Sequence, residues 1–515
     1  MDLRYMKRIL GIELGSTRIK SVLIDEDARV LAQGGYEWEN TLVDGLWSYS
    51  LDEVEKGLRE SYAELKRNYG EPLVTVDAIG ISGMMHGYLA FDKNDRLLAP
   101  FRTWRNTNTA EAAAELSELF KFNVPMRWSV SQYYQSVLDG LSHIRDVAFL
   151  TTLAGYVHYR LTGKRVLGID DASGMFPVDG KDYDGEMLDK FNSLLASKGI
   201  NVDFGTLLPA VMVAGENAGI LTAEGARWLD ESGELQAGIM LCPPEGDMGT
   251  GMICTNCVSP GKGNVSSGTS ANLTVILGKS LRNYYKEIDV IATPDGHPAA
   301  LIHTNNCTSE IDRWVALIGE ALELFGVKAP KGQLYDKLYN RALESKADSG
   351  IVSYNFLAGE PLADTRYGSP MVVRSQDGRL DLAGLMQAQI YSAVATLALG
   401  MDILKKEGVE IESVLAHGGF YKTPFVGQNA TSAVLEAPVT VMQNASEGGA
   451  WGMAILALYA TEKDCSLGEY LEKLFADVKK TVVMASEDEL KKCRAFMEAY
   501  RKGLSAVKLA SELLV

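Results

Sequence analysis

Apolar residues cluster in two short runs, RILGIELG and IKSVLIDED, and only the polar tripeptide STR separates them. Residues 8–27 therefore read as two strands around a tight turn, a β-hairpin, with VLAQGGYEW supplying a third run. VDAIGISGMMHGYLAFD reads as a buried strand, a glycine-rich loop and a second strand, and EAAAELSELF has helical composition. About 250 residues beyond the first hairpin the pattern restarts: GNVSSGTSANLTVILG gives strand, polar turn and strand, which suggests two similar domains. In the last third, LAGLMQAQIYSAVATLALGMDILKKEG reads as a long amphipathic helix with a glycine stop, and IESVLAHGGF as a strand running into glycines. NASEGGAWGMAILALYA passes from loop to small-residue helix, and from Glu462 onward charged residues alternate with apolar ones, as in helices packed on a surface. These elements make the chain mixed α/β.

At 515 residues the chain exceeds the size at which one core stops growing, so two large domains are expected. With 46% hydrophobic and 23% charged residues it has the composition of a globular protein, not of a disordered one. A net charge of -17 disfavours nucleic acid and anionic membrane surfaces, which are bound through clustered Lys and Arg. The charged N-terminus does not read as a signal peptide, and no stretch reads as a membrane span, so a cytoplasmic location is expected. Six cysteines are too few for a disulfide scaffold in so long a chain. CTNC at 254–257 has metal-ligand spacing, but no second pair accompanies it, which favours buried free thiols over zinc.

Three turns rich in glycine and hydroxyl groups could carry chemistry: ELGST at 13–17, SSGTS at 266–270 and HGG at 417–419. Such turns expose successive N–H groups and hydroxyls, a concave anion site suited to phosphate, although each taken alone is equally explained by turn preference. GKS at 278–280 is not a P-loop, because the required earlier glycine is Leu273. These turns hold no GxGxxG, and no protein-kinase signature occurs, so any phosphate is held by another architecture. MMHG at 84–87 places a histidine in a loop after a strand, and FRTWRNTNT at 101–109 combines an indole with amides and hydroxyls, as a sugar site does. CPPEGDMGTGM at 242–252 sets a lone carboxylate, Asp247, among glycines, where it is either a turn residue or a catalytic base.

Taken in order, GIELGSTRIK, GISGMMHG, WRNTNT, YRLTG with IDDASG, EGDMGTG, VSSGTSAN and the late HGG resemble the FGGY carbohydrate kinases nearly end to end, and among them the xylulokinases most. The resemblance implies an α/β protein of two ribonuclease H-like domains of the actin-like ATPase superfamily flanking a catalytic cleft. Residues 1–248 would carry the sugar site and the first phosphate loop, and residues 249–515 the nucleotide site. It implies transfer of the γ-phosphate of ATP, with Mg²⁺, to a terminal hydroxyl of a sugar, a ketopentose such as xylulose or ribulose, or alternatively another polyol or gluconate. A non-catalytic ATP-binding member of the superfamily is the more distant alternative.

Carried over residue by residue, Asp247 would be the catalytic base and would touch the substrate with Met85, His86, Trp104 and Arg105. Glu13, Gly15, Ser16, Thr17 and Lys20 would lie beside the phosphates, with Glu13 facing the metal through water. Ser267, Gly268 and Thr269 would form the second phosphate loop, and Gly418 and Gly419 would approach the adenosine. The expected partners are a sugar and ATP, without nucleic acid or membrane and with homodimerisation left open. Four positions depart from the family pattern: Glu13 stands for an aspartate, Arg105 and Asn106 follow Trp104 in place of Asn and Asp, and Met248 replaces an amide residue.

Overall fold

Ile9–Leu14 and Arg18–Ile24 pair antiparallel, and Val30–Glu37 adds to the second of them, as the two runs and their short turn predict. The computed structural model describes residues 6–345, 349–442 and 448–514. The chain divides into two compact units: Met1–Ser259, Asn283–Ala299 and Ser446–Asp477 form one, and Pro260–Arg282, Ala300–Ala445 and Val478–Val515 the other.

In the first unit the hairpin continues into a seven-stranded sheet, because Ala78–Gly83 pairs parallel with Ile9–Leu14 and in turn receives Met240–Leu241 and Glu245–Gly246, both parallel. Helices cover both faces, and glycines admit them. Ser21 Oγ meets Ser61 Oγ of the helix Leu51–Tyr69 at 2.9 Å, and a Cβ on Gly34 would lie 2.1 Å from the Ser61 carbonyl oxygen. On the opposite face a Cβ on Gly11 would lie 2.1 Å from the carbonyl oxygen of Ala450, in the helix Gly449–Glu462, and one on Gly80 2.7 Å from that of Met453. Trp451 anchors this helix by donating its indole N–H to the Ala28 carbonyl at 2.8 Å.

The second unit repeats the arrangement. Lys262–Ser267 and Ala271–Ile276 form the hairpin, Pro298–Thr304 joins the outer strand, and Ser413–His417 pairs parallel with the first, followed by Val439–Met442. In both sheets a hairpin is flanked by a further strand beside its second strand and by a parallel strand beside its first, which bears out the internal repeat.

Two readings need correction. Leu382–Lys406 is not amphipathic: it is buried on nearly every side, with Gly400 against Ile302, as an all-round apolar helix must be. By length and composition it is also apolar enough to cross a membrane, contrary to the expectation that no stretch is, and 83% of its most apolar window is buried inside the protein.

Candidate functional site

Three parallel strands of the first unit end level with one another. Leu14 lies opposite Gly83, and Gly246 lies opposite the same glycine on the other side. Ligands of α/β sheets gather beyond the carboxyl ends of parallel strands, and the segments that leave these three ends are the ELGST turn, MMHG and the Asp247 segment.

Asp247 is not in a turn. It opens the helix Asp247–Cys254, behind Gly246 in extended conformation, and its Oδ1 accepts the Met85 amide at 3.1 Å. Neither flanking glycine has the positive φ that sharp turning would need. They are required by close approach instead: a Cβ on Gly246 would lie 2.1 Å from Met85 Cγ, and one on Gly249 2.4 Å from Asp170 Oδ2. Water reaches the Asp247 side chain, yet its carboxyl is pushed above its ordinary value, chiefly by desolvation, while the amides of Met85, Asp247 and Met248 and the charge of Arg127 pull it back. A recessed carboxylate that still meets solvent has this combination.

Glu13 points at the first turn of Gly449–Glu462. The Ala450 and Gly449 amides draw its pKa down, as does Lys20, but desolvation first and then Asp247 raise it to about 7. Ser16 Oγ accepts the indole N–H of Trp104 at 3.1 Å, and Trp104 itself is exposed. Gly15 donates to the Arg18 carbonyl and closes the turn.

His86 is buried, at a φ of 69° that few non-glycine residues adopt. Its Nδ1 donates to the Gly174 carbonyl at 3.2 Å, and its Nε2 accepts Nε–H of Arg127 at 3.1 Å. Burial, and then the Arg127 charge, hold the ring well below its ordinary pKa, so it is neutral and both ring nitrogens are engaged. Arg127 also pairs with Asp289. Arg105 turns aside, with Nη1 on Asn40 at 3.0 Å and its guanidinium 4.2 Å from the Trp47 ring centroid. Asn106 is a buried brace that accepts the Trp47 amide and donates to the carbonyls of Trp47 and Thr103.

Three further acids, Asp170, Asp171 and Glu245, are buried in the same unit. Asp170 Oδ2 accepts the amides of Gly246 and Gly249, each at 3.0 Å, and Asp171 accepts the Thr152 hydroxyl. The Glu245 carboxyl lies against Gly168, where a Cβ would be 2.0 Å from Glu245 Cδ. Burial pushes all three pKa values up, Asp170 to about 8 and the other two well above the ordinary value. The Asp170 and Asp171 amides pull that of Glu245 back, although neither carboxyl oxygen has a partner within hydrogen-bond geometry. IDDASG and EGDMGTG hold these acids, but nothing in the local sequence distinguishes a buried acid pair from a solvated one. Arg127 and Asp289 were missed because they stand far from the motifs in sequence.

A pH dependence follows for Asp170. Its folded pKa exceeds its ordinary 3.8, so the native state holds the proton more tightly and stability falls as pH rises between about 4 and 8. Asp170→Asn removes this titration. Unfolding free energies measured at pH 5 and pH 8 should therefore converge in the variant relative to the wild type, and parallel losses in the two proteins would contradict the assignment.

Among the described residues no cluster of three or more His, Cys, Asp and Glu is arranged to hold a metal. In CTNC, Cys254 ends the Asp247 helix, donates its thiol to the Gly448 carbonyl, and is pushed up to about 12 by burial.

The second unit gathers the remaining candidates. A Cβ on Gly418, whose φ is 108°, would lie 2.2 Å from the Ser267 carbonyl oxygen, so this glycine packs directly on the SSGTS turn. The Gly268 carbonyl accepts the Thr308 amide and hydroxyl, and the Thr269 carbonyl accepts the Cys307 amide. Glu360 Oε2 accepts from Thr304, Asn305 and Asn306 and so steadies the segment that holds the turn. Gly268 and Gly419 have open space where a Cβ would stand, so their own packing does not demand glycine.

The sequence model for the N-terminal domain of the FGGY family of carbohydrate kinases matches residues 8–232, and that for its C-terminal domain matches residues 263–461. The chain belongs to this family. As an FGGY carbohydrate kinase it is a phosphotransferase, and it is 24% identical over 478 residues to a xylulose kinase of Haemophilus influenzae, covering 88% of this chain and 90% of that one. It is 23% identical over 528 residues to a gluconokinase of Bacillus subtilis, covering 96% and 94%. A ligand-bound xylulose kinase of Lactobacillus acidophilus superposes with a TM-score of 0.79 at 16% identity, covering 99% of this chain and 100% of that one. That likeness establishes the fold, the two-domain ribonuclease H-like architecture of FGGY kinases.

Proposed function

We propose that the protein transfers the γ-phosphate of ATP to the terminal hydroxyl of a ketopentose such as xylulose or ribulose. The observation that carries this reading is the water-accessible Asp247 carboxylate, seated on the Met85 amide in the loop that also bears His86. A kinase must hold the phosphates in line, neutralise their charge, and offer a base to the attacking hydroxyl. In this reading Asp247 takes the hydroxyl proton as the oxygen attacks the γ-phosphorus. Met85 and Trp104 contact the sugar, Arg105 reaches it with what its Asn40 contact leaves free, and His86 acts by fixing Arg127 beside it.

Residues 1–248 then carry the sugar site and the first phosphate loop, with Glu13, Gly15, Ser16, Thr17 and Lys20 on the phosphate side. Residues 249–515 carry the nucleotide site, with Ser267, Gly268 and Thr269 as the second phosphate loop and Gly418 and Gly419 toward the adenosine. The open space at Gly268 and Gly419 supports close approach of a ligand to the backbone. Mg²⁺, when bound, neutralises phosphate charge. Glu13 fits it as a hard oxygen donor close enough to Asp247 for the two charges to interact, acting through water as Mg²⁺ sites commonly do.

A second reading, an aldonate such as gluconate, is favoured by Arg127, a partly exposed cation beside His86 whose charge reaches Asp247. Its pairing with Asp289 argues for the neutral sugar. ADP release measured over ketopentoses, aldonates and polyols separates the two, and release that is independent of every acceptor would sink both. His86→Ala should raise KM for the preferred acceptor about tenfold or more while KM for ATP changes little, since a buried polar site left with unpaired groups discriminates strongly. Equal damage to both constants would remove this loop from the sugar site.

A further inference from the structure

We propose that Asp170 is a positioning residue for phosphoryl transfer, fixing the Asp247 carboxylate by holding the backbone amides on both sides of it. The inference rests on Asp247 being the base. The helix Asp247–Cys254 has no side-chain cap from its own segment; the cap comes from Asp170, 76 residues away from Gly246 and 79 from Gly249. One oxygen, Oδ2, takes both amides, so the residue before Asp247 and the one two beyond it are tied to a single fixed point. Asp170 is 0% exposed and therefore has no freedom to follow solvent.

The fit is close on the loop side as well. Cβ atoms on Gly246 and Gly249 would come within 2.9 and 2.4 Å of Asp170 Oδ2, so the two glycines exist where Asp170 stands. Buried acids so near another carboxylate are unfavourable, and groups of this kind cluster where a structure holds a functional atom in place. Asp247 then has three supports, the two Asp170 bonds through its neighbours and the Met85 amide on its own Oδ1, and its carboxylate is aimed by backbone and not by a mobile side chain. A base displaced by about 1 Å loses on the order of 10² in rate, which is what such a clamp guards against.

The test is a double-mutant cycle on the full-length enzyme with the preferred acceptor. Asp170→Ala should lower kcat by about 10- to 100-fold with KM for sugar and for ATP within about threefold, as loss of base alignment without loss of binding requires. Asp170→Asn keeps an oxygen for both amides and should retain most of kcat. In an Asp247→Ala background Asp170→Ala should cost nothing further, because its only route to the reaction has been removed. Should Asp170→Ala fail to fold by circular dichroism, Asp170→Ser, too short to reach both amides, takes its place with the same expectation. Unchanged kcat in Asp170→Ala, an Asp170→Asn as impaired as Asp170→Ala, or an equal loss in the Asp247→Ala background would each overturn the proposal. Near-normal sugar phosphorylation by Asp247→Ala alone would instead overturn the assignment of the base, so the two failures are distinguishable.

Discussion

Asp247→Asn is expected to fold, to bind ATP as the wild type does, and to lose about 10² to 10⁴ in kcat, the range for a positioned general base. The amide has the shape of the carboxylate and can still accept the Met85 amide through its oxygen, so the local structure that holds Asp247 is kept. What it lacks is the capacity to take the proton of the attacking hydroxyl. Close packing against Met85 and Asp170 accounts for the glycines whether or not Asp247 is catalytic, but only a catalytic role demands a carboxylate. Steady-state rates of sugar-dependent ADP formation, with a melting curve to establish folding, decide the matter. A folded Asp247→Asn enzyme with near-normal turnover would falsify the assignment and leave Asp247 as a helix-start residue.

Gly11→Val should be strongly destabilising, lowering unfolding free energy by about 3 kcal/mol or more, at the upper end for overpacked cores. The contact that a Cβ would make is with backbone, 2.1 Å from the Ala450 carbonyl oxygen and 2.6 Å from the Ala454 amide nitrogen, which no rotamer change relieves. The helix Gly449–Glu462 would have to lift off the sheet, and with it the first-turn amides that face Glu13. Gly332→Ala is the control: a Cβ there meets open space inside the helix Lys331–Leu343, so the change should be neutral or stabilising by about 0.5–1 kcal/mol. Guanidinium unfolding measures both, and a wild-type midpoint for Gly11→Val would refute the packing argument.

The hairpins at both ends of the repeat were legible because short runs rich in Ile, Leu and Val flank brief polar turns, IKSVLI after STR as NLTVI after SSGTS. The helical start at Asp247 was not, because DMGTG has two glycines within five residues and low intrinsic helix preference; tertiary contacts with Met85 and Asp170 override it. The backbone contacts of Asp170 were invisible for a related reason. Whether an acid faces water or two amides is fixed by segments brought in from elsewhere in the chain, and no local period records that. His86 stands out in the sequence as a histidine in a glycine-bounded loop, but its occupied ring nitrogens depend on Gly174 and Arg127, which only the fold brings to it. Leu382–Lys406 misled in the opposite direction, since its few polar residues suggested a wet face that the structure does not have.

The return of residues 446–477 to the first unit has a consequence for biosynthesis. The face of Ile9–Leu14 at Gly11 is covered by a helix that begins at Gly449, so this strand leaves the ribosome long before its cover does. At translation rates of roughly 5–20 residues per second the interval is roughly 20–90 s, far longer than collapse or hairpin formation. The N-terminal unit therefore cannot complete its folding until this helix has been made. Most of the other unit emerges first, and until residue 462 is out a nascent chain presents an uncovered apolar sheet face, the type of surface that chaperones occupy.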